Sequence, residues 1–191
     1  MANIIFDSAR GKTLIPIEDE FLRNRQLFLI GDVDIKSCSN LIKQLLYLDS
    51  VDSKSEITIR INSLGGSVQD GLALYDAIML AKSPVRTVCI GTCASMGALI
   101  FLAGDKREMM EHGRIMIHDP AFGGEASISG LKPHEVKARL EDLNKCKESL
   151  VKIIAERTGK EVEEIREITK TDTFYDADEA VDFGIATEIL K

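Results

Sequence analysis

Between residues 26 and 103 the hydrophobic pattern switches repeatedly from a two-residue to a 3.6-residue period, and each switch falls at a turn of small or polar residues. Strands that each run into a helix predict an α/β sheet with its chemistry at the strand-to-helix turns. Residues 26–30 form the first predicted strand, ending at Gly31-Asp32, and 37–49 form a helix with Leu41, Ile42, Leu45 and Leu46 at helical spacing. A second strand, 57–61, stops at Asn62-Ser63-Leu64-Gly65-Gly66. The helix after it, 68–81, gathers Leu72, Tyr75, Ile78 and Met79 on one face and closes at Ser83-Pro84. Residues 85–90 make a third strand, and 98–103 continue as a buried helix after Gly97.

The second half reads differently. Residues 107–110 and 114–118 are predicted strands around Glu111-His112-Gly113. A long helix is expected from Pro133, a favoured first-turn residue, to about residue 157, with Thr158-Gly159 ending it. A helix of about 25 residues is about 37 Å long, more than the width of a small domain. Part of it should therefore project, and its stripe of Val136, Leu140, Leu143, Leu150, Ile153 and Ile154 points to a subunit interface, the alternative being a helix that lies along its own core. Residues 1–20 fit neither period. A chain of 191 residues with 45% hydrophobic content is expected to form a single domain, 1–191.

Several function classes are disfavoured. A formal charge of −7 with no basic face argues against nucleic acid. With no signal-like apolar core and no apolar run of about 18 residues, no membrane association is expected and the chain reads as cytoplasmic. Cys38, Cys89, Cys93 and Cys146 lack metal-like spacing and are expected to be reduced, with no metal site. Gly11-Lys12-Thr13 is not a phosphate-binding loop, because Phe6 stands where its first glycine belongs. No cofactor is expected in the chain, and any ATP hydrolysis belongs to a partner.

The sharpest local feature is Gly91-Thr92-Cys93-Ala94-Ser95-Met96-Gly97, a small-residue turn from an apolar strand into an apolar helix. By itself Ser95 reads first as a helix cap. A nucleophilic hydroxyl needs a base, and imidazole is the natural one. His112 and His134 lie in polar surroundings, whereas His118 ends a strand just before Asp119-Pro120 and can face a cleft. Candidate orienting acids are Asp119, Asp172, Asp176 and Asp178. Asp119 points away from its neighbour on an extended segment, and Asp176 reads as a helix cap paired with Glu179, so Asp172 is the best choice. The paired glycines before Ser67 permit the close backbone approach that an oxyanion hole requires.

Four segments in order, INSLGGSVQDGLALYDAI, CIGTCASMGALIFLAG, RIMIHDP and TDTFYDADEAVDFGIAT, resemble the proteolytic subunits of Clp proteases, the ClpP family. The resemblance implies a crotonase-like spiral of strand-turn-helix units with a protruding helical handle, here about 121–158, and an axial N-terminal segment, 1–20. It implies a serine endopeptidase with Ser95 as nucleophile, His118 as base, Asp172 as acid, and the backbone N–H groups of Gly66 and Met96 as oxyanion hole. It also implies homo-oligomeric heptameric rings, two of them stacked into a tetradecamer, acting on unfolded polypeptides delivered by an AAA+ ATPase that itself uses the ATP. The chain departs from the family pattern at Leu64 and Asp119, at Thr171 before the acid, and at Thr58 and Arg60, where the ATPase docking pocket usually carries aromatics. Those departures motivate an alternative, a low-activity structural or regulatory ring subunit that requires an active paralogue. A third reading, an acyl-CoA-processing crotonase relative, would not call for a serine, histidine and aspartate at these positions.

Overall fold

The computed structural model describes residues 2–8, 11–122 and 130–191. The first described elements are β1 (Asn3–Ser8) and β2 (Gly11–Pro16), which among the described residues pair only with each other, followed by a short helix, α1 (Ile17–Arg23). This gives a definite form to the segment whose sequence fits neither period.

Three strand-helix units follow: β3 (Gln26–Val33) with α2 (Ile35–Val51), β4 (Ile57–Gly66) with α3 (Val68–Leu80), and β5 (Val85–Ala94) with α4 (Met96–Leu102). Asp34 caps α2 through the Ser37 N–H, and Ser67 caps α3 through the Asp70 N–H, so both helices start where the sequence supplies a short oxygen side chain. The remaining elements are β6 (Lys106–Met110), β7 (Arg114–Ile117), α5 (Pro133–Thr158), α6 (Val162–Ile168), β8 (Thr173–Tyr175), α7 (Ala177–Phe183) and β9 (Glu188–Leu190).

The main sheet runs β3-β4-β5-β6-β9, all parallel, with β7 joined to β5 and β8 antiparallel to β7. This is an α/β fold with a mostly parallel sheet, as the strand-helix alternation predicts. Strands of such a sheet are buried on a helix-covered face and read as nearly continuous apolar runs. Here Ile57, Ile59 and Ile61 of β4 meet Leu41 and Leu45 of α2 and Leu74 and Ile78 of α3 in one core. Every residue of α4 is buried.

Strands β4 and β5 are longer than the sequence suggests, and the excess is where the site lies. Pairing expected to stop at residue 61 resumes beyond a register shift, with Ser63 opposite Cys93, Asp32 opposite Gly65 and Val33 opposite Gly66. Glycines and small residues break the hydrophobic alternation there without breaking the hydrogen-bond ladder. Strand β5 also changes partner: Arg86–Cys89 pair with β6, whereas Thr92–Ala94 pair with β7. The helix after Ser95 starts at Met96, two residues earlier than predicted.

Helix α5 is capped by Gly159 in the left-handed conformation, in agreement with the Thr158-Gly159 signal. Its buried residues, Leu150, Val151, Ile154 and Ala155, all lie in its last third, and Leu140 is exposed, so the first half stands clear of the core. The predicted handle, 121–158, includes residues 123–129, which lie outside the described residues.

One arginine ties the edge of this frame together. Arg25, at φ 58°, sends its guanidinium to the carbonyls of Leu48, Asp52, Ser55 and Glu56 and to the Ser83 hydroxyl. It thereby supplies donors to the end of α2 and to the loop that leads into β4. Arg25→Ala should lower unfolding free energy by about 3 kcal/mol, since several carbonyls lose a charged donor at once. Arg25→Lys should recover little, because an ammonium lacks the planar fork. Chemical denaturation measures both, and a loss below about 1 kcal/mol for the alanine variant would contradict this role.

Candidate active site

The residues that immediately follow β5 and β7, Ser95 and His118, build the centre of the site. Ser95 donates its backbone N–H to the Met116 carbonyl at 2.9 Å, so the strand ladder holds the serine up to its last atom. Its backbone then turns sharply, at φ 52° and ψ −123°. A non-glycine residue in this region carries strain of roughly 1–3 kcal/mol, tolerated only where the surroundings enforce it. The strain lifts the side chain out of the turn. Ser95 makes no side-chain capping bond to α4, unlike Asp34 and Ser67, so the simplest reading of its sequence position, a helix cap, does not describe it.

The Ser95 hydroxyl lies 2.8 Å from Nε2 of His118. A hydroxyl donating to that nitrogen leaves the ring proton on Nδ1, which faces Asp172. The Nδ1 to Asp172 Oδ1 distance is 3.7 Å, longer than a hydrogen bond, and the Asp172 side chain is 63% exposed. The three residues selected from sequence are thus gathered in space, tightly between serine and histidine and loosely between histidine and aspartate. The rejected acids are accounted for: Asp119 pairs with Lys147, Asp176 caps α7 reciprocally with Glu179, and Asp178 is exposed. His112 and His134 are both exposed.

A thiol next to the serine is a conceivable rival nucleophile, and its surroundings argue against it. Cys93 is fully buried with its sulfur toward the Ile61 carbonyl at 3.8 Å, and burial pushes its thiol well above the ordinary range. A reactive cysteine needs the opposite environment. Cys38 and Cys89 are also buried free thiols, while Cys146 is only half-buried. Among the described residues, no group of three His, Cys, Asp or Glu side chains is arranged to hold a metal ion.

The two glycines at the end of β4 have separate jobs. A β-carbon on Gly66 would come within 2.3 Å of the Val33 carbonyl oxygen, so close strand pairing demands glycine there. Gly65, at φ +96°, instead faces the serine: a β-carbon on it would lie 2.7 Å from Cβ of Ser95 and 3.0 Å from the Met96 nitrogen. Met96 is the first residue of α4, so its N–H has no acceptor within the helix. The direct contact of Gly65 with Ser95 was not legible in the sequence beyond the Gly-Gly pair itself.

Beside this centre a cavity of about 530 Å³ opens between the chain following Gly66, the chain following His118 and α5. Val68, Pro120, Phe122, Ala138, Leu143 and Cys146 give it a mainly apolar wall. The sequence offered no signal for it, because its lining comes from three separate segments. Thr58 and Arg60 lie on β4, with the Thr58 hydroxyl accepting from Arg86 and Arg60 donating to Gln26. Among the described residues no helix is long and apolar enough to cross a membrane.

Comparison with known protein families gives a match to the family model described as Clp protease, over residues 9–191.

Proposed function

Because the chain belongs to the Clp protease family, we propose that it is the peptide-cleaving subunit of a ring-forming serine protease, with Ser95 as nucleophile, His118 as general base and Asp172 as orienting acid. The observation that carries the reading is the 2.8 Å contact of the Ser95 hydroxyl with Nε2 of His118, made by a serine that forgoes a helix cap at a strained backbone angle. His118 takes the hydroxyl proton as Ser95 attacks the peptide carbonyl, then returns it to the leaving amine. The backbone N–H groups of Gly66 and Met96 hold the oxyanion that forms between these steps. An apolar side chain of the substrate suits the adjoining cavity. The reaction requires no cofactor in this chain. Membership of the family supports assembly into two stacked heptameric rings, with unfolded polypeptide fed in by an AAA+ ATPase. The polar pair Thr58 and Arg60 would give the docking face a chemistry unlike an aromatic pocket.

A second reading, a ring subunit with little activity of its own, is favoured by the exposed Asp172 and its long distance from His118. A fluorophosphonate probe, which reacts only with an activated serine, separates the two. The purified chain should be labelled, and Ser95→Ala should not. Labelling that appears only after mixing with an active member of the family would favour the second reading. Undiminished labelling of the alanine variant would remove Ser95 from its role.

A further inference from the structure

We propose, building on the serine-peptidase reading, that the ion pair between Lys147 and Asp119 is a positioning device through which helix α5 sets the gap between His118 and Asp172. Asp119 follows His118 directly at the end of β7, and its backbone N–H donates to the Thr169 carbonyl at 2.7 Å. Thr169 is buried and lies three residues before Asp172. One short hydrogen bond therefore joins the chain that carries the base to the chain that carries the acid.

The carboxylate of Asp119 is turned toward α5. Its Oδ2 meets the Lys147 ammonium at 2.5 Å, with the two side chains only 26% and 21% exposed. Its Oδ1 is buried and has no hydrogen-bond partner among the described residues. A carboxylate held in this way depends on the Lys147 cation, and without it would be driven to reorient toward water. The next residue of the same helix, Glu148, grips Arg166 of α6 through both oxygens, at 2.7 and 3.2 Å. Helix α6 leads directly into Thr169 and then Asp172. Adjacent residues of α5 thus hold both segments, Lys147 on the His118 side and Glu148 on the Asp172 side. At 3.7 Å the histidine and aspartate sit about half an ångström beyond hydrogen-bonding distance. A small shift of α5 against β7 is enough to close or open that contact.

The test uses the whole chain and a short fluorogenic peptide. In Lys147→Met and in Asp119→Asn, kcat should fall about tenfold with KM within about twofold, as expected when alignment rather than binding is lost. Lys147→Arg, which keeps the cation, should recover at least half of the wild-type kcat. The double variant, Lys147→Met with Asp119→Asn, leaves no unpaired charge, and its thermal unfolding gives the folded comparison if a single variant proves unstable. It should lose no more than the single variants, because the two residues act as a unit. A folded double variant with kcat within twofold of wild type would overturn the proposal, as would failure of Lys147→Arg to recover activity. Hydrolysis that survives in Ser95→Ala would instead overturn the peptidase reading itself.

Discussion

Ser95→Ala should reduce peptide hydrolysis by about 10⁴- to 10⁶-fold, and His118→Ala should cost nearly as much. In the proposed mechanism the two residues form one reacting unit, since the hydroxyl would attack only as its proton leaves for Nε2, 2.8 Å away. Removing either abolishes the same step. The double variant should therefore be no worse than either single one, a non-additivity that independent structural roles would not produce. Asp172→Ala should cost less, about 10²-fold, because its carboxylate is largely exposed and already beyond hydrogen-bonding reach of His118. Steady-state turnover of a short peptide by the four proteins decides the matter. Equal losses at all three positions would mean that the working site draws Asp172 closer than it stands in the single chain.

The second large effect is expected at a residue that takes no part in proton transfer. Gly65→Ala should abolish measurable peptide cleavage and lower stability by about 2–4 kcal/mol. The new methyl group would meet the Ser95 side chain at 2.7 Å, the Ala94 carbonyl at 2.9 Å and the Met96 nitrogen at 3.0 Å. None of these can yield cheaply. Two are backbone atoms, and Ser95 is held by the ladder bond to Met116. The φ of +96° adds a further penalty for any side chain. A pairing of kinetics with calorimetry distinguishes this from simple unfolding: a protein folded at assay temperature but inert is the expected result, and one that retains a tenth of its activity would show that the turn can relax.

The elements were legible because their signals are local. Asp34, Ser67 and Asp176 each cap a helix where a short oxygen side chain precedes an apolar run, and Gly159 ends α5 as its position announces. Boundaries failed where pairing is decided by a neighbouring strand. Gly65 and Gly66 lack the alternation of a strand, yet they lie in β4 because β3 supplies the partners, and Thr92–Ala94 lie in β5 because β7 does. At the site, residue types, their order and the resemblance of four segments to one family pointed together to Ser95, His118 and Asp172. Their spacing in three dimensions was not legible, since 3.7 Å against 2.8 Å depends on how α5, α6 and β7 are braced together. Lys147 illustrates the gap most clearly: in sequence it is one of many charges on a helix, and only the fold brings it to Asp119.

The divided allegiance of β5 places the serine on a different branch of the sheet from its β6–β9 edge. Strand β9 pairs with β6, and β6 with only the first half of β5. The half that carries Ser95 is anchored to β7, which is braced in turn by β8. Through strand pairing, the C-terminal strand therefore reaches β5 at Arg86–Cys89, short of the turn that carries Ser95. The ladder beside the serine and the β6–β9 edge are thus two branches of one sheet that part along β5.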